Sequence, residues 1–114
     1  MEWTVLFDDD FENWLFQQDV GVQNAIFIHA ELLARFGPTL SRPQVDTLKG
    51  SKLKHLKELR VQYQGEPWRV LFAFDPKRQA ILLVGGCKQG NKRWYNDAIT
   101  LAEKRYQRHL EGME

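Results

Sequence analysis

The chain has few of the residues that build disulfides or metal centres. Its 114 residues include one cysteine and three scattered histidines, so no internal disulfide can form and no metal-ligand spacing occurs. Cys87 lies in an apolar stretch and is expected to pack as a small hydrophobic residue. The composition therefore predicts a protein that works without a structural metal or a cofactor.

Long apolar segments and targeting signals are also missing. The longest uncharged apolar run, Ala80 to Cys87, is far shorter than the roughly 20 residues that cross a bilayer. The N-terminus reaches three successive aspartates at Asp8 without the basic flank that begins a signal peptide. These absences predict a cytoplasmic protein with no membrane association, folded as a single domain over residues 1–114.

Positive charge is scarce in the first part of the chain and concentrated in the next. Residues 1–48 carry two basic and eight acidic side chains, whereas residues 49–93 carry eleven basic and three acidic ones. The second segment thus has a balance of +8, although the formal net charge of the chain is only +1. Such a basic block suits a phosphate-rich partner, because each neutralised phosphate releases condensed counterions. An acidic protein partner or a merely solvated surface would also explain it.

Hydrophobic periodicity predicts elements in the order β-α-α-β-β-β-α. This order indicates an α+β domain with an antiparallel sheet and with the helices packed on one face of it. The segment from Thr39 to His55 is expected to be irregular, because it contains Pro43 and Gly50. The predicted elements are strands at Trp3–Asp8, Glu58–Gln64, Trp68–Phe74 and Gln79–Cys87, a short helix capped by Asp8–Asp10, and helices at Gly21–Phe36 and Arg93–Leu110.

Strand alternation places two arginines side by side. If the apolar residues of the two strands around the Gly65 turn face the core, Arg60 and Arg69 share the opposite face and point away from the core. Adjacent cations repel each other, so the pair requires an explanation. Either the arginines bind phosphates, for which their fork geometry is suited, or Glu58 on the same face neutralises one of them and Gln62 bridges.

Three strings between Val45 and Ala102 occur in a recognisable order: LKGSKLKHLKELR, EPWRVLFAFD and ILLVGGCKQGNKRWYNDAITLA. Together they resemble the RelE/ParE superfamily of type II toxin–antitoxin toxins, in particular its phage-derived HigB-like branch. The resemblance implies a RelE-like fold and a metal-independent endoribonuclease that cleaves mRNA, in most such toxins on the ribosome. It also implies a cognate antitoxin, expected to be a small helix-turn-helix protein.

Carried over by position, the resemblance implies four catalytic residues: Arg60, Arg69, Lys88 and Tyr95. RNA supplies its own nucleophile, the 2′-hydroxyl, so cleavage needs a base, charge stabilisation at the phosphorus and an acid at the 5′-oxygen. The arginines suit charge stabilisation, and Tyr95 or a lysine crowded by cations could carry the proton. Tyr95 also lies on the apolar stripe of its helix, so packing explains it equally well.

Two positions depart from the pattern of RelE. Glu58 stands where RelE has a lysine two residues before the position of Arg60, and Gln89 stands where RelE has an arginine after the loop lysine. Lys92 and Arg93 are close enough in sequence to compensate for the second change. The departures imply either restricted activity or a different general base.

The remainder of the basic block predicts contacts with RNA. An aromatic ring among basic residues can stack on an exposed base, although Trp94 could equally be a packing residue. The predicted RNA-binding residues are Lys49, Lys52, Lys54, His55, Lys57, Lys92, Arg93 and Trp94.

Three functions are compatible with these observations. The first is an mRNA-cleaving toxin that a cognate antitoxin silences. The second is a ParE-like toxin that poisons gyrase through protein contacts and would not need the cluster of arginines, lysine and tyrosine. The third is a non-enzymatic, phage-derived interaction module, for which the basic block is only a binding surface.

Overall fold

A computed structural model of the chain describes residues 2–88 and 92–113. Within these residues the predicted order of elements is confirmed, with one short strand added. No helix in this described part is both long enough and apolar enough to cross a membrane. In chain order the elements are β1 (Thr4–Phe7), α1 (Asp9–Phe16), α2 (Val20–Phe36), a 3-10 turn (Gly37–Thr39), β2 (Val45–Thr47), β3 (Lys57–Tyr63), β4 (Glu66–Phe74), β5 (Gln79–Cys87) and α3 (Lys92–Gly112).

The expectation of an irregular segment from Thr39 to His55 is wrong at its centre, where β2 forms. The three residues of β2 pair antiparallel with β3, and Val45 is buried opposite Leu59. So short a strand shows no alternating pattern in the sequence. Pairing with β3, rather than local propensity, therefore explains why it forms.

The strands make a five-stranded sheet in the order β1-β5-β4-β3-β2. The predicted antiparallel pairing holds for every neighbouring pair except β1 and β5, which are parallel. Helices α1 and α2 carry the chain from β1 at one edge to β2 at the other. Three antiparallel steps then return it to β5, beside β1.

The prediction that the helices pack on one face of the sheet is wrong, because α3 covers the opposite face from α1 and α2. Val70 and Phe72 of β4 belong to the core under α1 and α2. Leu71 and Ala73 of the same strand belong to a second core with Ala98 of α3. The central strands β4 and β5 are apolar at nearly every position, and a strand of that kind needs cover on both faces. The α+β class itself is confirmed.

Local signals define the ends of α1 and α2. Asp8 Oδ1 accepts hydrogen bonds from the backbone N–H groups of Asp10 at 2.9 Å and Phe11 at 3.1 Å, which satisfies two otherwise unpaired donors of α1. Helix α2 ends at Gly37, where φ is 54°, a left-handed value that favours glycine. A Cβ at Gly37 would also lie 2.4 Å from the Trp3 ring. The predicted cap of α1 and the end of α2 are both confirmed.

Two side-chain hydrogen bonds anchor the C-terminal half of α3 to the sheet. Arg105 Nη1 donates a hydrogen bond to the Leu83 carbonyl oxygen at 2.7 Å. The Tyr106 hydroxyl donates to the Phe74 carbonyl oxygen at 2.9 Å. These bonds use backbone acceptors on β4 and β5, so they fix the position of α3 along the sheet.

The Asp75 carboxylate, buried just after β4, is held in its charged form. Burial favours the neutral acid, but hydrogen bonds from His109 Nε2, from the Gln79 side chain and from the N–H groups of Gln79 and Lys77 outweigh it and lower the pKa of Asp75. A carboxyl group whose folded pKa is lowered stabilises the fold above its unfolded pKa of about 3.9. That stabilisation is lost as the pH falls through the folded pKa.

We therefore expect the urea unfolding midpoint to fall as the pH drops below about 5, and Asp75→Asn to weaken this pH dependence. The variant should also be less stable than the wild type at pH 7, because the charged acceptor of the His109 bond is lost. Asp97→Asn, an exposed change on α3, is the control. An Asp75→Asn protein with the wild-type pH dependence would contradict this assignment.

Candidate functional site

The register of the β3–β4 hairpin pairs the two arginines that alternation placed together. The turn between the strands is Gln64-Gly65, with φ values of 50° and 78°, and two-residue turns with positive φ match the twist of paired strands. This turn sets Arg60 directly opposite Arg69. The predicted proximity of the two arginines is confirmed.

Arg69 does not point away from the structure as expected, because α3 covers this face. The residue is only 5% exposed. Its Nη1 donates to the Trp68 carbonyl oxygen at 3.0 Å, and its buried Nε has no hydrogen-bond partner. Burial of a guanidinium is costly without compensation. The nearest compensating charge is the Glu58 carboxylate, whose Oε1 lies 3.6 Å from Arg69 Nε.

Glu58 is the charge at the centre of this face. It lies on β3, is 6% exposed, and accepts a 2.6 Å hydrogen bond from the Tyr95 hydroxyl on α3. Of the two explanations that the sequence left open, neutralisation by Glu58 is therefore the one observed for Arg69. The site thus contains a carboxylate that the implied catalytic set lacked. Strand alternation had already placed Glu58 on the face of Arg60, but only as a partner that neutralises an arginine and not as a member of the catalytic set.

Tyr95 is a hydrogen-bond donor in this arrangement. Burial, followed by the hydrogen bond to Glu58 and the charge of that carboxylate, raises the pKa of Tyr95 to about 12, while Arg69 acts in the opposite direction. The phenol is therefore protonated at neutral pH and cannot serve as the base. Its proton holds the Glu58 carboxylate in place.

Lys88 completes the group. Its ammonium nitrogen lies 5.6 Å from the centroid of the Tyr95 ring, a distance typical of a cation–π contact. Its backbone N–H donates to the Pro67 carbonyl oxygen at 2.9 Å, which holds it beside the start of β4. All four residues implied to be catalytic therefore converge on one face of the sheet, together with one further residue. We call Glu58, Arg60, Arg69, Lys88 and Tyr95 the Arg69–Glu58 cluster.

An open pocket of about 420 Å³ lies beside the two arginines. It lies along the part of β3 beyond the pairing of this strand with β2. That pairing ends where the Arg60 N–H donates to the Gln44 carbonyl oxygen at 2.8 Å. Of the cluster, Arg60 and Arg69 line this pocket, which gives solvent and ligands access to the two arginines. It is lined by His29, Pro43, Gln44, Arg60, Gln62 and Arg69.

Six of the eight residues predicted to bind RNA lie on the loop between β2 and β3 or at the start of α3. Lys49, Lys52, Lys54 and His55 are exposed on the loop between β2 and β3, which we call the basic loop (residues 48–56). Arg93 is exposed on the first turn of α3. The Lys92 side chain, like the Gln89 position, lies outside the described residues.

The other two predicted RNA-binding residues, Lys57 and Trp94, are not on the basic loop or exposed at the start of α3. Lys57 and Leu59 are two residues apart on β3, so they share the face covered by α1 and α2. There Lys57 Nζ lies 3.4 Å from Thr47 Oγ1. Trp94 packs on the sheet, where a Cβ at Gly86 would come within 2.4 Å of its Nε1. The packing interpretation therefore accounts for much of Trp94, which is half-buried.

No group of three or more His, Cys, Asp or Glu side chains in residues 2–88 and 92–113 lies close enough to hold a metal ion. The Arg69–Glu58 cluster offers two guanidinium groups, an ammonium group, a phenol and a carboxylate, which together can bind a phosphate and move a proton.

Solved structures define the class of fold. Escherichia coli toxin RelE, as an arginine double mutant in the free state, superposes with a TM-score of 0.68 at 11% identity, over 92% of this chain and 98% of that one. The archaeal RelE–RelB complex from Pyrococcus horikoshii OT3 contains a chain that matches with a TM-score of 0.58 at 15% identity, over 80% of this chain and 100% of that one. The protein therefore has a RelE-like fold.

Sequence comparison gives the family. The family model described as "Phage derived protein Gp49-like" matches residues 13–107. The Mycobacterium tuberculosis protein "Putative toxin HigB3" is 45% identical over 100 residues, which cover 87% of this chain and 86% of that protein. "Putative toxin HigB2" from the same organism is 43% identical over 103 residues, which cover 89% of this chain but 51% of that longer protein. The chain belongs to the phage-derived Gp49-like family, and the resemblance to the HigB-like branch is confirmed.

Proposed function

We propose that the protein is the toxin of a type II toxin–antitoxin system and acts in the cytoplasm as an endoribonuclease that cleaves mRNA on the ribosome without a metal. The observation that carries this proposal is the Arg69–Glu58 cluster. It joins paired arginines to a carboxylate and a protonated phenol on one face of the sheet. The family membership and the HigB-type relatives support the toxin assignment.

The cluster contains the groups that cleavage by the 2′-hydroxyl requires. Glu58 takes the proton of the 2′-hydroxyl, and the 2′-oxygen then attacks the phosphorus. Arg60 and Arg69 stabilise the negative charge that develops on the phosphorane. The 5′-oxygen leaves with a proton from the Lys88 ammonium group. The products are a 2′,3′-cyclic phosphate and a 5′-hydroxyl end.

The other members of the cluster prepare Glu58 for this role. Arg69 supplies a positive charge 3.6 Å from the carboxylate, which compensates for its burial. The Tyr95 hydroxyl orients it through the 2.6 Å bond. Glu58 stands at one of the two positions where this chain departs from the pattern that the resemblance implies, and we propose that the base differs there.

Induced expression, alone and together with the neighbouring antitoxin gene, tests the proposed function. Growth should stop only when the toxin is expressed alone, and mapped mRNA fragments should begin with 5′-hydroxyl ends inside translated regions. Intact mRNA with accumulated gyrase–DNA complexes would replace the proposal with the ParE-like function. Intact mRNA without any growth defect would favour the non-enzymatic module.

Chelation gives a second test of the chemistry. We expect toxin that has been treated with EDTA and then freed of the chelator to cleave ribosome-bound mRNA as fast as untreated toxin, because the proposed base, acid and charge stabilisers are all side chains. The control is cleavage by a metal-dependent ribonuclease in the same buffer. Loss of activity on chelation that a divalent cation restores would contradict the mechanism.

The antitoxin should bind with an association rate that depends on salt. Residues 49–93 carry a balance of +8, and complementary charge accelerates diffusional encounter at low ionic strength. Stopped-flow measurements should therefore show a rate constant that falls as salt is added. A rate constant independent of salt would place the antitoxin outside the basic block instead.

A further inference from the structure

A single carboxylate ties the basic loop to α3. Glu103 Oε2 accepts a 2.6 Å hydrogen bond from the Lys52 backbone N–H and a 2.8 Å hydrogen bond from the Ser51 hydroxyl. The Ser51 oxygen in turn accepts a 3.0 Å bond from the Leu53 N–H. One oxygen atom of a helix about 50 residues further along the chain thus binds two consecutive residues of the loop, and Ser51 in turn binds the third.

The contact leaves the lysines free while it fixes the backbone. Leu48 and Leu53 pack against the core under α3, whereas Lys49, Lys52 and Lys54 are exposed. The loop therefore has an inner side that is anchored and an outer side that is positively charged. Its anchored side reaches the same helix that supplies Tyr95 to the Arg69–Glu58 cluster.

The charge of Glu103 is unfavourable for a surface that binds phosphate. A carboxylate beside lysines weakens the local positive potential and repels an approaching anion. Its hydrogen bonds to the loop are the feature that offsets this disadvantage. Tyr95 and Glu103 lie eight residues apart on α3, which corresponds to about 12 Å along the helix axis.

We propose that Glu103 is a positioning residue that orders the basic loop, so that its lysines form a preorganised phosphate-binding surface beside the Arg69–Glu58 cluster. This proposal rests on the proposed function in RNA cleavage. A loop that is already ordered does not lose conformational entropy when RNA binds. The hydrogen bonds to Glu103 therefore increase the affinity of the protein for RNA. Glu103 does not contact the reacting atoms and leaves the chemical step unaffected.

The expected signature is a change in KM without a change in kcat. Glu103→Ala releases the loop and should raise KM about tenfold, the equivalent of ordering roughly one backbone residue during binding. Glu103→Gln should restore a KM near that of the wild type, because both hydrogen bonds end on one oxygen atom and an amide oxygen can accept both. Ser51→Ala, which removes one of the two bonds, should give an intermediate KM.

The control is Asp97→Ala, which removes the same charge from an exposed position on the same helix and should leave KM unchanged. If Glu103 acts only by repelling phosphate, both Glu103→Ala and Glu103→Gln will lower KM, and the proposal is overturned. If Glu103→Ala leaves KM at the wild-type value, the loop does not bind RNA in the way proposed.

Two further measurements separate this proposal from the proposed function. Amide hydrogen exchange at Lys52 and Leu53 should accelerate in Glu103→Ala but not in Glu103→Gln, whether or not the protein cleaves RNA. Fluorescence anisotropy with a short single-stranded RNA should show that Glu103→Ala binds the RNA about tenfold more weakly than the wild type. If the wild type does not cut RNA, the function is wrong, and these two measurements still decide whether Glu103 orders an RNA-binding loop. Unchanged exchange or unchanged affinity in Glu103→Ala would overturn the inference.

Discussion

Arg69→Ala is expected to abolish RNA cleavage and to lower the free energy of unfolding by about 3 kcal/mol, because it leaves the buried Glu58 carboxylate without its opposite charge. The side chains of both residues are less than 10% exposed, at 6% for Arg69 and 9% for Glu58. Tyr95 still donates to Glu58 in the variant, which keeps the loss at the lower end of the range for buried pairs. Urea denaturation at pH 7 gives the unfolding free energy, and gel analysis of a labelled message gives the cleavage.

The double variant Arg69→Ala/Glu58→Gln is the informative control. It removes the unpaired charge as well, so it should recover most of the stability lost in Arg69→Ala and should remain inactive. Stability and activity are thereby separated within one pair of residues. An Arg69→Ala protein that unfolds at the wild-type urea concentration would show that the pair is not buried in solution.

Arg60→Ala is expected to slow cleavage by about 100- to 1000-fold, equivalent to about 2.7–4 kcal/mol of transition-state stabilisation, with little change in the melting temperature. Arg60 is partly exposed and stands opposite another arginine, so its loss also relieves a repulsion across the strands. Single-turnover cleavage and a thermal melt on the same preparation measure the two effects.

Lys77→Ala is the matched control for Arg60→Ala. It removes one positive charge from the same basic block, at an exposed position in the turn after β4. A purely electrostatic contribution of the block to RNA affinity would affect both variants similarly and would act on KM. A fully active Arg60→Ala protein would show that the paired arginines do not act on the phosphate.

The arrangement of the two arginines could be predicted from the sequence because it depends on local features. Alternation fixes which side of a strand a residue occupies, and the Gln64-Gly65 turn fixes the register. The same rule separates Lys57 from Arg60, although the charge pattern grouped them. The cap of α1 at Asp8 is likewise a local signal.

The burial of Arg69 could not be predicted in this way. Alternation identifies the face of the sheet but not what covers it, and the position of α3 depends on contacts with β4 and β5 that are distant in sequence. One signal did exist, since the nearly continuous apolar run from Ala80 to Cys87 is typical of a strand buried on both faces. A sheet covered on both faces makes a basic residue on either face a candidate for burial beside a carboxylate.

The partition of the hydrophobic core by the sheet has a consequence for how this protein can change during evolution. Residues under α1 and α2 and residues under α3 are separated by the backbones of β4 and β5. Substitutions that share no partners usually contribute additively to stability. Core substitutions under α1 and α2 can therefore accumulate without disturbing the core under α3. The positions that link the two layers are the exception, because Asp8 and Asp10 pair with Arg108 of α3 and His29 of α2 lines the pocket beside the two arginines.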